Sequence, residues 1–302
     1  MHIKTLHIIK PIPAVLLLLL AFSVVRLAAQ SLVTPFPPSF KNTLSNELQE
    51  GASLQPVFKE LKLGHAVKVM QIGDSHVRGK YFPNSLESTL REYFPNIQFS
   101  FYGINGAWAR RFYEQDMVSR VAAEHPDLVV ISFGTNEAHG STLDERAHTE
   151  TMRLLTQRIR ERCPDVCFLF TTPPGSFLSQ RVSRTSGNRS RRRYSTVKVP
   201  NANTAAVARN IVHFCQENSM AVWDIYAIGG GEKSACDNWR NSGLMNSDCV
   251  HFLTSGYVLQ GKLLGEAIYK AYTETVVSGT QTRMMHEPTP LEQQPYQSVR
   301  GF

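Results

Sequence analysis

Five short apolar runs, alternating with helical patterns and each followed by a turn, predict an α/β protein. The expected architecture is a flavodoxin-like three-layer α/β/α sandwich with a five-stranded parallel sheet. The run at 127–133 is almost continuously apolar, as expected of a parallel strand covered on both faces. A chain of 302 residues with 42% hydrophobic composition suits one such domain of about 200 to 250 residues with terminal extensions. No internal repeat is visible.

The ends of the chain differ from its middle. Lys4 and Lys10 precede an apolar run at 14–25, and small residues follow at Ala28-Ala29-Gln30-Ser31. This is the layout of a secretory signal over 1–31, with an uncleaved membrane tether as the alternative. Either way the folded part is expected to be exported, to the periplasm or beyond. Removing Lys4, Lys10 and Arg26, with no acid among them, lowers the formal charge from +7 to +4. Residues 32–65 hold Pro35, Pro37 and Pro38 and a weak helical pattern at 44–61, a leader packed on the domain or a linker. Residues 274–302 are polar and lack an apolar period, so they read as a tail outside the core.

Between these ends the elements follow in order. Strands are expected at 66–72, 97–102, 127–133, 166–172 and 220–228. Helices are expected at 83–94, with Pro83 near its start, at 113–124, at 204–217 and at 254–272. Ser141-Thr142-Leu143-Asp144-Glu145 offers a capping box for another helix, and Arg158, Arg160 and Arg162 complement its C-terminal dipole. Residues 176–201 read as a long loop with six arginines between 181 and 193, and a polar loop containing Gly229-Gly230-Gly231 follows the fifth strand. Cys163, Cys167, Cys215, Cys236 and Cys249 are an odd number for an exported chain. A bridge from Cys236 to Cys249 would close a loop of about a dozen residues, worth on the order of 3 kcal/mol if unstrained.

The chemistry gathers where strands end. Ser75 follows the first strand in Gly73-Asp74-Ser75-His76, at a strand-to-helix corner where a fold of this kind presents its ligands. A serine hydroxyl needs a base, an orienting acid and oxyanion donors. His251 is the candidate base and Asp248, three residues earlier in the same loop, the candidate acid. The candidate oxyanion donors are the amide near Ser75, the Gly106 amide after strand two and the Asn136 side chain after strand three.

Gly73-Asp74-Ser75, Gly106, Gly134-Thr135-Asn136-Glu137 and Asp248-x-x-His251, followed by Leu253-Thr254-x-Gly256-Tyr257, together resemble the four blocks of the SGNH hydrolases, or GDSL-type esterases. The resemblance covers about residues 66–273. It implies Ser75 as nucleophile, Gly106 and Asn136 as oxyanion donors, a triad completed by Asp248 and His251, and no cofactor. Gly103 fits the second block less well than Gly106. His76 replaces the usual leucine, giving GDSH, similar to bacterial envelope esterases that remove O-acetyl groups from peptidoglycan or other polysaccharides. Its other reading is a hydrogen-bonding support for the turn.

An O-acetylated polysaccharide is therefore the expected partner. A lipid or short-chain carboxylesterase, and a non-catalytic glycan-binding or envelope-assembly protein, are the alternatives. Asp74-x-His76 also invites a metal-dependent phosphoesterase reading, but the further ligand blocks are missing, so no metal is expected. The arginine-rich segment has only Tyr194 as a neighbouring aromatic, which argues against nucleic acid and leaves a solvated loop or an anionic ligand. Trp108 is placed to stack on a sugar or to pack. His125, His139 and His213 have no partners that the sequence reveals.

Overall fold

The computed structural model describes residues 34–140, 143–185 and 192–286. Contacts divide the chain into Met1–Pro35 and Phe36–Phe302, and the fold below is that of the second unit. The expected signal segment, the Ser141-Thr142 pair and the tail beyond 286 lie outside the described residues.

Seven strands occur among the described residues: β1 (Val67–Gly73), β2 (Ile97–Gly103), β3 (Leu128–Ser132), β4 (Cys167–Thr171), β5 (Phe177–Thr185), β6 (Arg192–Pro200) and β7 (Ala221–Trp223). Five form one parallel sheet in the order β2-β1-β3-β4-β7, as expected; β5 and β6 form a separate antiparallel pair. The helices are α1 (Gln55–Lys62), α2 (Ser75–Arg78), α3 (Tyr81–Tyr93), α4 (Ala109–Glu114), α5 (Met117–Ala123), α6 (Thr135–Ala138), α7 (Glu145–Arg160), α8 (Ala202–Glu217), α9 (Ile225–Ile228), α10 (Gly231–Asn241) and α11 (Thr254–His286).

The period-2 alternation of a strand divides the core in two. Val69, Leu128, Val130, Leu169 and Trp223 face a cluster with Phe58 of α1, Leu86 of α3 and Leu264 of α11. Their neighbours Met70, Ile72, Val129, Ile131 and Phe170 face Phe112 of α4, Val121 of α5, Leu155 of α7 and Ile211 of α8. The result is three layers. Each fully buried apolar side chain in them contributes roughly 2 kcal/mol.

Several elements depart from expectation, each for a local reason. The single helix expected at 113–124 is two, because Asp116 sits in the left-handed region at φ 54° and breaks it. The strand expected at 220–228 stops at Trp223: Asp224 caps α9, its carboxylate accepting from Ala227 N–H at 3.2 Å. The polar stretch beyond Gly230 forms α10, and α11 runs on to His286 past the expected end at Tyr272. The cap of α7 is Asp144, within the expected capping stretch, and it accepts from Ala147 N–H at 3.0 Å. The expected loop at 176–201 is a hairpin; its strands lacked an apolar signature because much of it faces solvent.

Residues 36–62 pack on the domain. Gln49 pairs with Val222 of β7 through two backbone bonds of 2.9 and 3.0 Å and covers that sheet edge. All five cysteines are free. The Cys236–Cys249 bridge is absent: the two thiols are buried, that of Cys236 directed at Ser176 O and that of Cys249 at Ser247 O.

Candidate active site

β1 lies between β2 and β3, so the chain reverses its direction across the sheet at the carboxyl end of β1. A crevice opens at such a point. There Asp74 caps α2, its Oδ1 accepting from His76 N–H at 2.9 Å, which sets Ser75 at the first helical position with its amide directed outward. Ser75 is half-buried.

Gly103 explains how this turn fits. A Cβ there would lie 2.3 Å from Arg78 N and 2.7 Å from Asp74 O, so only glycine lets the backbone of α2 rest on the end of β2. The glycine judged less suitable as an oxyanion donor is thus a steric support. Gly106 has φ +65°. Its N–H has no acceptor in the protein among the described residues, leaving the amide available.

The nucleophile, base and acid meet across 176 residues of sequence. Ser75 Oγ is 3.0 Å from His251 Nε2, and His251 Nδ1 is 2.8 Å from Asp248 Oδ2. The carboxylate accepts a hydrogen bond from Nδ1–H, which keeps the proton on that nitrogen and leaves Nε2 as the acceptor for the serine hydroxyl. Asp248 Oδ1 accepts from Val250 N–H at 2.9 Å and His251 N–H at 3.0 Å. Burial raises the Asp248 pKa, but these amides and the His251 ring outweigh it and hold the carboxyl below its usual range. Cys249, in the left-handed region at φ 57°, tightens the loop so that one carboxylate reaches both amides and the ring.

Asn136 lies beside this group. Its Nδ2 donates to Asp74 Oδ2 at 3.1 Å and to Ala107 O at 3.0 Å, so both amide hydrogens are engaged. The neighbouring Glu137 is buried and accepts from Ala109 N–H at 2.8 Å and Gly134 N–H at 3.0 Å. It clasps the loop after β2 to the loop after β3. Burial raises its pKa, and that of Asp74 is pushed up to about 8 by burial against the bonds from His76 N–H and Asn136.

Two histidines join the site in ways the sequence did not disclose. The His76 ring is buried 5.2 Å from that of His251, and its Nδ1 is 2.9 Å from Tyr257 Oη on α11. Its Nε2 has no partner among the described residues, and burial, reinforced by His251, pushes its pKa down to about 3. The turn-supporting reading thus extends to a tie with the last helix. His139, which sequence reading left without a role, bonds through Nε2 to Ser176 Oγ at 2.9 Å. Burial, then the charges of His251 and Lys198, lower its pKa and mark its proximity to the same centre.

A three-layer α/β fold with Ser75, His251 and Asp248 joined at the carboxyl ends of its strands has the form of a serine hydrolase acting on ester bonds. The family model of the GDSL-like lipase/acylhydrolases matches residues 71–259, more than half of the chain, and the protein belongs to that family. A peptidoglycan O-acetylesterase structure is similar at TM-score 0.62 and 16% identity, over 78% of this chain and 100% of that one. The acetyl xylan esterase AlAXEase is similar at TM-score 0.51 and 16% identity, over 67% of this chain and 99% of the other. At these identities the likeness is one of fold. No curated protein matches the chain.

Proposed function

We propose that the protein is an exported serine esterase that removes O-acetyl groups from peptidoglycan or another envelope polysaccharide through an acyl-enzyme. The observation that carries the chemistry is the continuous Ser75–His251–Asp248 relay, with contacts of 3.0 and 2.8 Å. Ser75 Oγ attacks the acyl carbonyl while His251 Nε2 takes its proton, and Asp248 stabilises the imidazolium. The amides of Ser75 and Gly106 donate hydrogen bonds to the oxyanion, and Asn136 joins them by exchanging its Ala107 bond for one to the new charge. As the ester C–O bond breaks, the His251 imidazolium gives its proton to the departing sugar oxygen, which leaves as the alcohol. Water, deprotonated by His251, releases acetate and restores Ser75.

The substrate reading draws on other observations. The His251 and Asp248 side chains are 40% and 48% exposed, an open site that a bulky polymer can approach. A cavity of about 250 Å³ lined by Trp108, Tyr113, Leu143 and His148 does not include Ser75. The GDSH variant and the fold likeness to a peptidoglycan O-acetylesterase favour a short acyl group on a sugar. Export rests on the signal-like first 31 residues.

A fluorophosphonate probe tests the chemistry: the folded protein is expected to label and Ser75→Ala to stay unlabelled. Equal labelling of both would overturn the nucleophile. Acetate release from O-acetylated peptidoglycan, set against acetylated xylan and longer acyl esters, tests the substrate, and preference for a long-chain ester would overturn it.

A further inference from the structure

The β5–β6 hairpin, which the catalytic chemistry does not use, begins at the active site. Phe177 N–H donates to Cys249 O at 2.9 Å, and Lys198 Nζ donates to Asp248 O at 2.6 Å. The base of the hairpin is thus bonded to the loop that carries the acid and base.

Its register sorts the side chains. Ser179 pairs with Lys198, Arg181 with Thr196 and Ser183 with Tyr194, so these six residues share one face. Beyond Lys198, every one of them is exposed. Arg181 lies over the Tyr194 ring, 3.9 Å from its centroid, and faces no carboxylate among the described residues. From Lys198 to Tyr194 the face extends roughly 14 Å away from the catalytic loop. Residues 177–200 contain six arginines, one lysine and no acid.

We infer that this hairpin face, through Arg181, Tyr194 and Lys198, binds a carboxylate-bearing polysaccharide strand and leads it to Ser75. The argument is one of charge and shape. An unpaired guanidinium and an ammonium answer carboxylates, and a flat, exposed tyrosine held by the guanidinium offers a surface on which a sugar ring can lie. Position adds direction, because the cationic face ends at Asp248 O. The inference rests on the esterase reading for its substrate, but binding can be measured apart from hydrolysis.

The full-length chain and its Arg181→Ala/Tyr194→Ala variant are compared on soluble O-acetylated peptidoglycan fragments and on 4-nitrophenyl acetate. The ratio of the two kcat/KM values is expected to fall roughly fivefold to tenfold in the variant, through KM for the fragments. Raising salt from about 50 to about 300 mM should raise KM for the fragments in the wild type and much less in the variant. Co-sedimentation of Ser75→Ala with peptidoglycan should be strong and be lost when Arg181→Ala/Tyr194→Ala is added. Unchanged ratio and co-sedimentation, an equal effect on neutral acetylated xylan, or binding to anionic phospholipid vesicles in place of peptidoglycan would overturn the inference. If the wild type hydrolyses neither ester, the esterase reading fails, and the co-sedimentation result still decides the role of the hairpin.

Discussion

Asp248 shows how much one carboxylate does in this site. It fixes the His251 tautomer through Oδ2 and closes its own loop through Oδ1, using backbone amides two and three residues ahead. Asp248→Asn keeps an acceptor for those amides but points an NH₂ group at His251 Nδ1, so the ring turns its proton towards Ser75. We predict a fall in kcat of roughly 10³- to 10⁴-fold with KM little changed, measured with a small acetyl ester. A loss below tenfold would remove Asp248 from the mechanism. These three residues were legible because Ser75 follows an apolar run at a strand-to-helix corner and Asp248 and His251 stand three apart in one polar loop, in a sensible order along the chain. His76 and Tyr257 were not recognisable as partners, since their bond joins residues 181 apart and no spacing rule connects them. Glu137 was visible within its block, but its clasp on Ala109 N–H depends on loop geometry that only the folded backbone provides.

At the level of elements, the parallel strands were readable because burial on both faces leaves unbroken apolar runs, as in Val129, Val130 and Ile131, each at most 1% exposed. The hairpin was hidden for the opposite reason: its strands carry arginines, serines and threonines that satisfy no core. The short β7 was over-extended because Ile225 and Ile228, apolar and buried, continue the run after Asp224 has turned it into a helix. The contact of α2 with β2 sets the position of the nucleophile, and Gly103 is its test. In Gly103→Ala the new methyl meets backbone atoms of Asp74 and Arg78, which cannot rotate away as a side chain would. The α2 turn must shift, and a misplacement on the order of 1 Å costs about 10²-fold in rate. A drop in kcat/KM of that size, with a folded circular dichroism spectrum, is the expected result; full activity would show that the turn has slack.

Across the whole molecule, buried titrating groups pull stability in opposite directions with pH. His76 and His148 are held neutral by burial, with pKa values pushed down to about 3 and about 4, so the unfolded chain binds more protons below its ordinary histidine value of 6.5. Their contribution is complete above that pH and is lost as pH falls towards 3 or 4. Asp74 does the reverse. Its pKa rises from 3.8 to about 8, so the folded state keeps a proton that the unfolded chain has released. That contribution is complete below pH 3.8 and is lost as pH rises to about 8. Above 6.5 these two histidines are neutral in both states and add no slope, whereas Asp74 is still losing its proton. Stability is therefore expected to decline between about pH 6.5 and 8 by on the order of 2 kcal/mol from this one group. Asp74→Asn should flatten that decline in urea unfolding, whatever offset it introduces at every pH by placing an NH₂ group against Asn136 Nδ2. An unchanged slope in the variant would show that Asp74 is ionised throughout, its charge held by His76 N–H and the Asn136 amide. In that case the carboxylate lies permanently beneath the oxyanion site and opposes the charge that develops there. The Gly106 and Ser75 amides would then have to outweigh it, which makes the backbone donors, more than Asn136, the main stabilisers of the transition state.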